Sequence, residues 1–178
     1  MGTRGMTIVV SEGKNKVAQY GQWDHYPSGQ GVTALEFLRT MDLKKFKSQL
    51  SKVRFLNSAK RSEIKKYLNQ IGSVDGWMTT EQSEIFKKKY PYLSRDHGAN
   101  ILNLIYNSTD KYIWLTDSSE CAVTSNCDCE YTYVIDLDKK LFQMKIGDAV
   151  IVQYPFKTLP TVKKFIKEAE SKVEKYYK

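Results

Sequence analysis

The stretch from Ala18 to Gly31, AQYGQWDHYPSGQG, concentrates groups that could do chemistry. It sets Gln19, Gln22, Trp23, Asp24 and Tyr26 close together, with Arg4 nearby in MGTRG. Tyrosine and tryptophan offer flat faces on which bases stack, and glutamine and aspartate offer edges that pair with them. Arg4 can anchor a phosphate. One reading is therefore a pocket for a small nucleotide ligand built from Arg4, Gln19, Gln22, Trp23, Asp24 and Tyr26. The other is a tight irregular turn, in which glycines supply unusual dihedrals, Trp23 and Tyr26 plug the core, and Arg4 pairs with Asp24.

Carboxylates raise a third possibility. Asp24, Asp96, Glu130 and Asp136 could together hold Mg²⁺ or Mn²⁺ in a nuclease, since hard cations take clustered oxygens. Outside that reading no cofactor is expected. Asp24 and His25 are adjacent, so on a strand they would point to opposite faces and not act as a pair. His97 follows Asp96. The three cysteines, Cys121, Cys127 and Cys129, have a C-x5-C-x-C spacing. That spacing is not a usual zinc knuckle even with His97 as a fourth ligand, and the expectation is reduced thiols with no metal. No phosphate-binding glycine loop is present; Gly31 could at most stand at a helix N-terminus.

Charge is the other strong signal. The 178-residue chain carries a formal net charge of +8, distributed unevenly. From Arg39 to Gln70 there are ten lysines and arginines against two acids. They are Arg39, Lys44, Lys45, Lys47, Lys52, Arg54, Lys60, Arg61, Lys65 and Lys66. From Ile113 to Asp138 there are six acids and no lysine or arginine. A basic helical face of this kind attracts polyanions with a salt-dependent affinity, or simply keeps the chain soluble.

The elements that must position these groups read as strands, helices, strands and one last helix. Residues 3–23 form a hairpin about Gly13, closed by Pro27, Gly29 and Gly31. A helical section spans 32–107. In it Asp42 caps LKKFKSQLSKV, Ser58 caps AKRSEIKKYLNQI, Thr79 and Gln82 have capping-box spacing, and Ser94 or Asp96 caps SRDHGANILNLIYN. Strands occupy 112–154, and a helix beginning near Pro160 fills 160–177. The expectation is one α+β domain over 1–178, an antiparallel sheet from the N-terminal and C-terminal hairpins with the helices packed on it. No apolar run is long enough for a membrane span and no signal peptide is evident, so a cytoplasmic location is expected. Tyr- and Phe-rich helix faces leave a homodimer open.

The blocks MGTRG, KVAQYGQWDHYPSGQG, LSRDHGANIL and CEYTYVIDLD resemble a family of small phage, prophage and other mobile-element proteins. The resemblance runs from Met1 to about Leu141 and implies a bacterial host setting. Small basic proteins of that kind often antagonise host defence, anti-CRISPR proteins among them. It implies a setting more than an activity and assigns no catalytic residue; together with the basic helical face, the expectation is an inhibitor that binds a host nucleoprotein or nucleic acid, such as an RNA-guided nuclease.

Overall fold

The computed structural model describes residues 2–122 and 127–178. Two strands open the chain: β1 (Gly5–Ser11) and β2 (Lys14–Gly21). Helices α1 (Val32–Thr40) and α2 (Leu43–Leu50) lead to a short strand β3 (Val53–Phe55). Then come α3 (Ser58–Gln70), α4 (Thr80–Lys89), α5 (Ile101–Tyr106) and β4 (Ile113–Leu115). Strands β5 (Tyr131–Asp136), β6 (Leu141–Ile146) and β7 (Ala149–Pro155) precede the final helix α6 (Val162–Tyr176).

The α+β class holds. Five strands form one sheet in the order β2-β1-β5-β6-β7, and β3 and β4 form a separate parallel pair. Three neighbours in the large sheet are antiparallel, whereas β1 and β5 run parallel, with Gly5 opposite Tyr131 and Val10 opposite Asp136. Both faces of β1 are covered, which is why it reads as an apolar run without polar alternation. Val9 joins the main core with Leu35, Ile101, Tyr133, Phe142 and Phe165. Met6 and Ile8 point the other way, into a smaller cluster packed by Phe55, Ala122 and Val134.

Side chains of the acidic stretch tie the turns together. Both Asp138 oxygens accept backbone N–H groups at the tip of the first hairpin, from Glu12 and Gly13, each at 2.9 Å. Asp136 Oδ1 accepts from the Asp138 and Lys139 amides at 3.0 and 2.8 Å, so this buried aspartate shapes the β5–β6 turn.

Three boundaries differ from the sequence expectation. The helix expected through Val53 stops at Leu50, because Val53–Phe55 are taken up by pairing with Ile113–Leu115. Asn57, one residue before Ser58, caps α3, with its Oδ1 accepting from Lys60 N–H at 2.8 Å. Neither Ser94 nor Asp96 starts a helix: Gly98 has φ +50°, and regular helix begins only at Ile101. The caps at Asp42 and at Thr79/Gln82 form as expected.

The α3–α4 hairpin is thinly buried. Ile64 is the only fully buried residue of α3, and α4 has none; Tyr67, Leu68 and Ile71, expected to join Ile64 inside, are at most partly covered. Aromatic edges do much of the joining, with Tyr67 and Phe86 packing against Tyr90 at ring separations of 5.6 and 5.2 Å. Low burial implies a low free energy of local opening. Native-state amide exchange should therefore release α3 and α4 well before β1 and β5. Equal protection in both regions would contradict this.

Candidate functional site

The opening segment resolves into a turn whose plug is neither Trp23 nor Tyr26. Those two rings are 50% and 46% exposed, and the fully buried residue is His25. Gly5 and Gly21 sit opposite each other in the β1–β2 register. A Cβ on Gly5 would lie 2.5 Å from His25 Cδ2, and one on Gly21 would lie 2.1 Å from His25 Cε1. The two glycines therefore open a slot for the imidazole. The His25 Nδ1–H donates to the Trp23 carbonyl at 3.1 Å, and Nε2 has no hydrogen-bond partner among the described residues. Burial pushes the ring's pKa down to about 4, partly offset by the Trp23 and Thr3 carbonyls.

The other polar groups of the segment are used internally. Gln19 is buried and its Nε2 donates to the Tyr20 and Ser94 carbonyls at 2.7 and 3.2 Å. Gln22 Oε1 accepts from the Tyr20 hydroxyl at 2.9 Å. Asp24 has φ +60°, and its carbonyl accepts from Gln30 N–H at 2.8 Å. The Tyr26 carbonyl accepts from the Gly29 and Gly31 amides. Gln30 Oε1 in turn accepts from Ala99 N–H at 2.7 Å, joining this block to RDHGAN. Arg4 pairs with Asp128 at 2.8 Å, not with Asp24. Of the six candidate ligand residues, Arg4 and Gln22 share an open hollow of about 400 Å³ with Tyr20, Ser118, Cys121 and Cys127.

The carboxylates are not gathered. Asp96 lies 3.8 Å from Lys87, Asp136 is committed to its turn, and Glu130 is exposed with its backbone amide on the Arg4 carbonyl. Among the described residues no three His, Cys, Asp or Glu side chains converge on one point. His97 Nε2 is 2.7 Å from the Pro91 carbonyl. Cys121 and Cys127 form a disulfide, S–S 2.03 Å, correcting the expectation of three reduced thiols for a cytoplasmic chain. Cys129 is free, and burial pushes its thiol up to about 11.

The ten basic candidates fall in several places. Arg39 donates to the Pro160 carbonyl at 2.6 Å, near the start of α6. Lys44, Lys45 and Lys47 are exposed on α2, where Lys45 lies over the Tyr106 ring at 3.9 Å. Lys52 is half-buried just before β3. Arg61, Lys65 and Lys66 are exposed on α3 and make no salt bridge among the described residues.

Arg54 and Lys60 belong to the arrangement that the sequence reading missed. Arg54 lies 5.5 Å from the Tyr112 ring centroid, and Lys60 Nζ lies 5.6 Å from those of both Tyr90 and Trp114. Lys89 stands 4.1 Å over Tyr67, and Lys111 stands 5.5 Å from Tyr112. These distances are within cation–π range. Lys60, Lys89 and Lys111 with Tyr90, Tyr112 and Trp114 border a hollow of about 290 Å³ between the start of α3, the end of α4 and β4, and Arg54 and Tyr67 lie outside its lining. Tyr90, pushed up to about 12 chiefly by burial, donates its hydroxyl to Glu63, which Lys60 also holds at 2.8 Å. The interleaving of lysine and aromatic residues in KKKYPY and DKYIW was the available signal.

No family model, curated protein or solved structure matches the chain.

The buried imidazole sets an acid limit. Its folded pKa of about 4 lies below the ordinary value of 6.5, so the unfolded chain binds the extra proton first. Stability should be fully present above pH 6.5 and fall as the pH drops toward 4, by on the order of 3 kcal/mol from this residue. His25→Asn should melt lower at pH 7 yet lose less between pH 6.5 and 4. A parallel loss in both proteins would count against His25 as the group responsible.

Proposed function

We propose that the protein binds nucleic acid or a nucleoprotein through the basic face of its helical section. In that reading it acts as a mobile-element counter-defence inhibitor of a host nucleic-acid machine, such as an RNA-guided nuclease. The observation that carries the reading is the set of cations laid over aromatic rings around the α3–α4–β4 hollow. Arg61, Lys65 and Lys66 extend the charge along α3 without acids to neutralise them. Lysines in the last turn of α4 also suit the negative end of its helix dipole, so Lys87, Lys88 and Lys89 are explained without a partner. The same cannot be said of Lys60 and Lys111, which stand outside any helix C-terminus. The counter-defence role comes from the resemblance of the motif blocks.

A native-gel titration onto structured RNA at several salt concentrations tests this. Affinity should fall steeply with salt, and reversing Arg61, Lys65 and Lys66 to glutamate should weaken binding about tenfold or more and flatten the salt slope. Reversing Lys44, Lys45, Lys47 and Lys52 measures the share of α2 and its flank, while reversing Lys163 and Lys167 on α6 controls for net charge. Wild-type affinity in both helical-section sets would refute the reading.

A nucleotide-signal sponge is the second reading, favoured by the hollow where Arg4 and Gln22 meet Tyr20. It predicts a thermal shift with at least one cyclic or linear nucleotide, abolished by Arg4→Ala. A flat response across such a panel would remove it.

A further inference from the structure

The hollow beside β4 offers ring faces as well as charge. Tyr112 and Trp114 from the β4 segment meet Tyr90 and Tyr92 from the loop after α4, and Lys60, Lys89 and Lys111 supply ammonium groups around them. We propose that this hollow holds an unpaired base of a single-stranded nucleic acid, with the lysines on its flanking phosphates. The proposal rests on the polyanion-binding reading and narrows it to single strands.

Three features support it. First, the hollow is about 290 Å³, the size of a small ligand cleft, and a duplex keeps its base faces inside its own stack. Only a splayed base can present a face to these rings. Second, two of the rings are anchored at their hydroxyl ends. Tyr90 donates to Glu63 at 3.0 Å, and Tyr92 donates to Asp110 at 2.5 Å and lies 2.7 Å from Ser108 Oγ. Anchored rings lose little freedom when a base stacks on them. Third, ammonium groups already stand over the faces that a base would take. An entering base displaces Lys111 from the Tyr112 face, and this lysine can swing to the adjoining phosphate without leaving the site, while Lys60 stays paired with Glu63. Asp110 lies in the lining and Glu63 stands behind it, paired with Lys60, so two acids face three lysines and the hollow keeps a small net positive charge.

Fluorescence anisotropy with a labelled ten-nucleotide RNA, the same sequence as single-stranded DNA, and the RNA duplex tests the proposal at two salt concentrations. Both single strands should bind about tenfold or more tighter than the duplex. Tyr112→Ala should cost single-strand binding about tenfold with an unchanged salt slope, and Tyr112→Phe should restore it. Tyr112 is 47% exposed, so its truncation opens no core. Equal affinity for duplex and single strands, or wild-type binding by Tyr112→Ala, would overturn the base pocket and leave the polyanion reading standing. Absence of binding to all three at low salt would overturn both.

Discussion

A neutral imidazole held between two strands is the constraint on which much of this structure depends. His25 fills the slot that Gly5 and Gly21 leave open, and its own carbonyl accepts the Tyr133 hydroxyl at 2.7 Å. Tyr133 stacks toward His25 on one side and Phe142 on the other, each 6.4 Å away, and Phe142 packs on Phe165 of α6. One buried ring thus couples the first hairpin, the centre of the sheet and the last helix. Close packing makes such a chain of contacts sensitive to a single added methyl group. It also explains why a segment so rich in hydrogen-bonding groups can be scaffold: its polar groups bond within the turn and tie it to Ser94, Arg95, Ala99 and Tyr133.

Against that rigid base, the α3–α4 hairpin has a different character. It buries one aliphatic side chain fully, carries most of its charge outward, and relies on ring edges and lysine–aromatic contacts. Exposed large apolar groups gather on the same hairpin, where Trp77 is 82% exposed at a tight turn. A lobe with little core of its own stores few constraints, so it can adapt to a partner while the sheet stays fixed.

Local chemistry was the legible part. Asp42 and the Thr79/Gln82 pair cap their helices because capping depends on residues three apart, and the strand runs at both ends declare themselves by composition. Pairings between distant segments were not legible. Val53 fits the helical spacing of Phe46 and Leu50, and only Ile113 across the gap turns it into a strand residue. The candidate site followed the same division. Lys60 and Arg54 were visible as charge, but the rings they cover come from two separate stretches that only the fold brings to them. In the N-terminal block the glycines were expected to supply unusual dihedrals, yet Gly21, Gly29 and Gly31 keep ordinary φ and matter for the space a Cβ would fill, while the positive φ falls at Asp24. The plug was assigned to the larger aromatics. Size favours tryptophan as a plug, whereas the slot made by two glycines admits only the smaller ring.

The parallel pairing of β1 with β5 has a bearing on biosynthesis. The first strand leaves the ribosome with one edge matched by β2 and the other edge reserved for residues not yet made. Tyr133, whose hydroxyl closes on His25, follows it by 108 positions. At the usual pace of translation that is a wait on the order of ten seconds. During it an apolar β-branched strand has an unpaired edge and the imidazole lacks its roof. Pairing across so long a loop is slow in any case. The N-terminal motif can therefore reach its final form only late in synthesis.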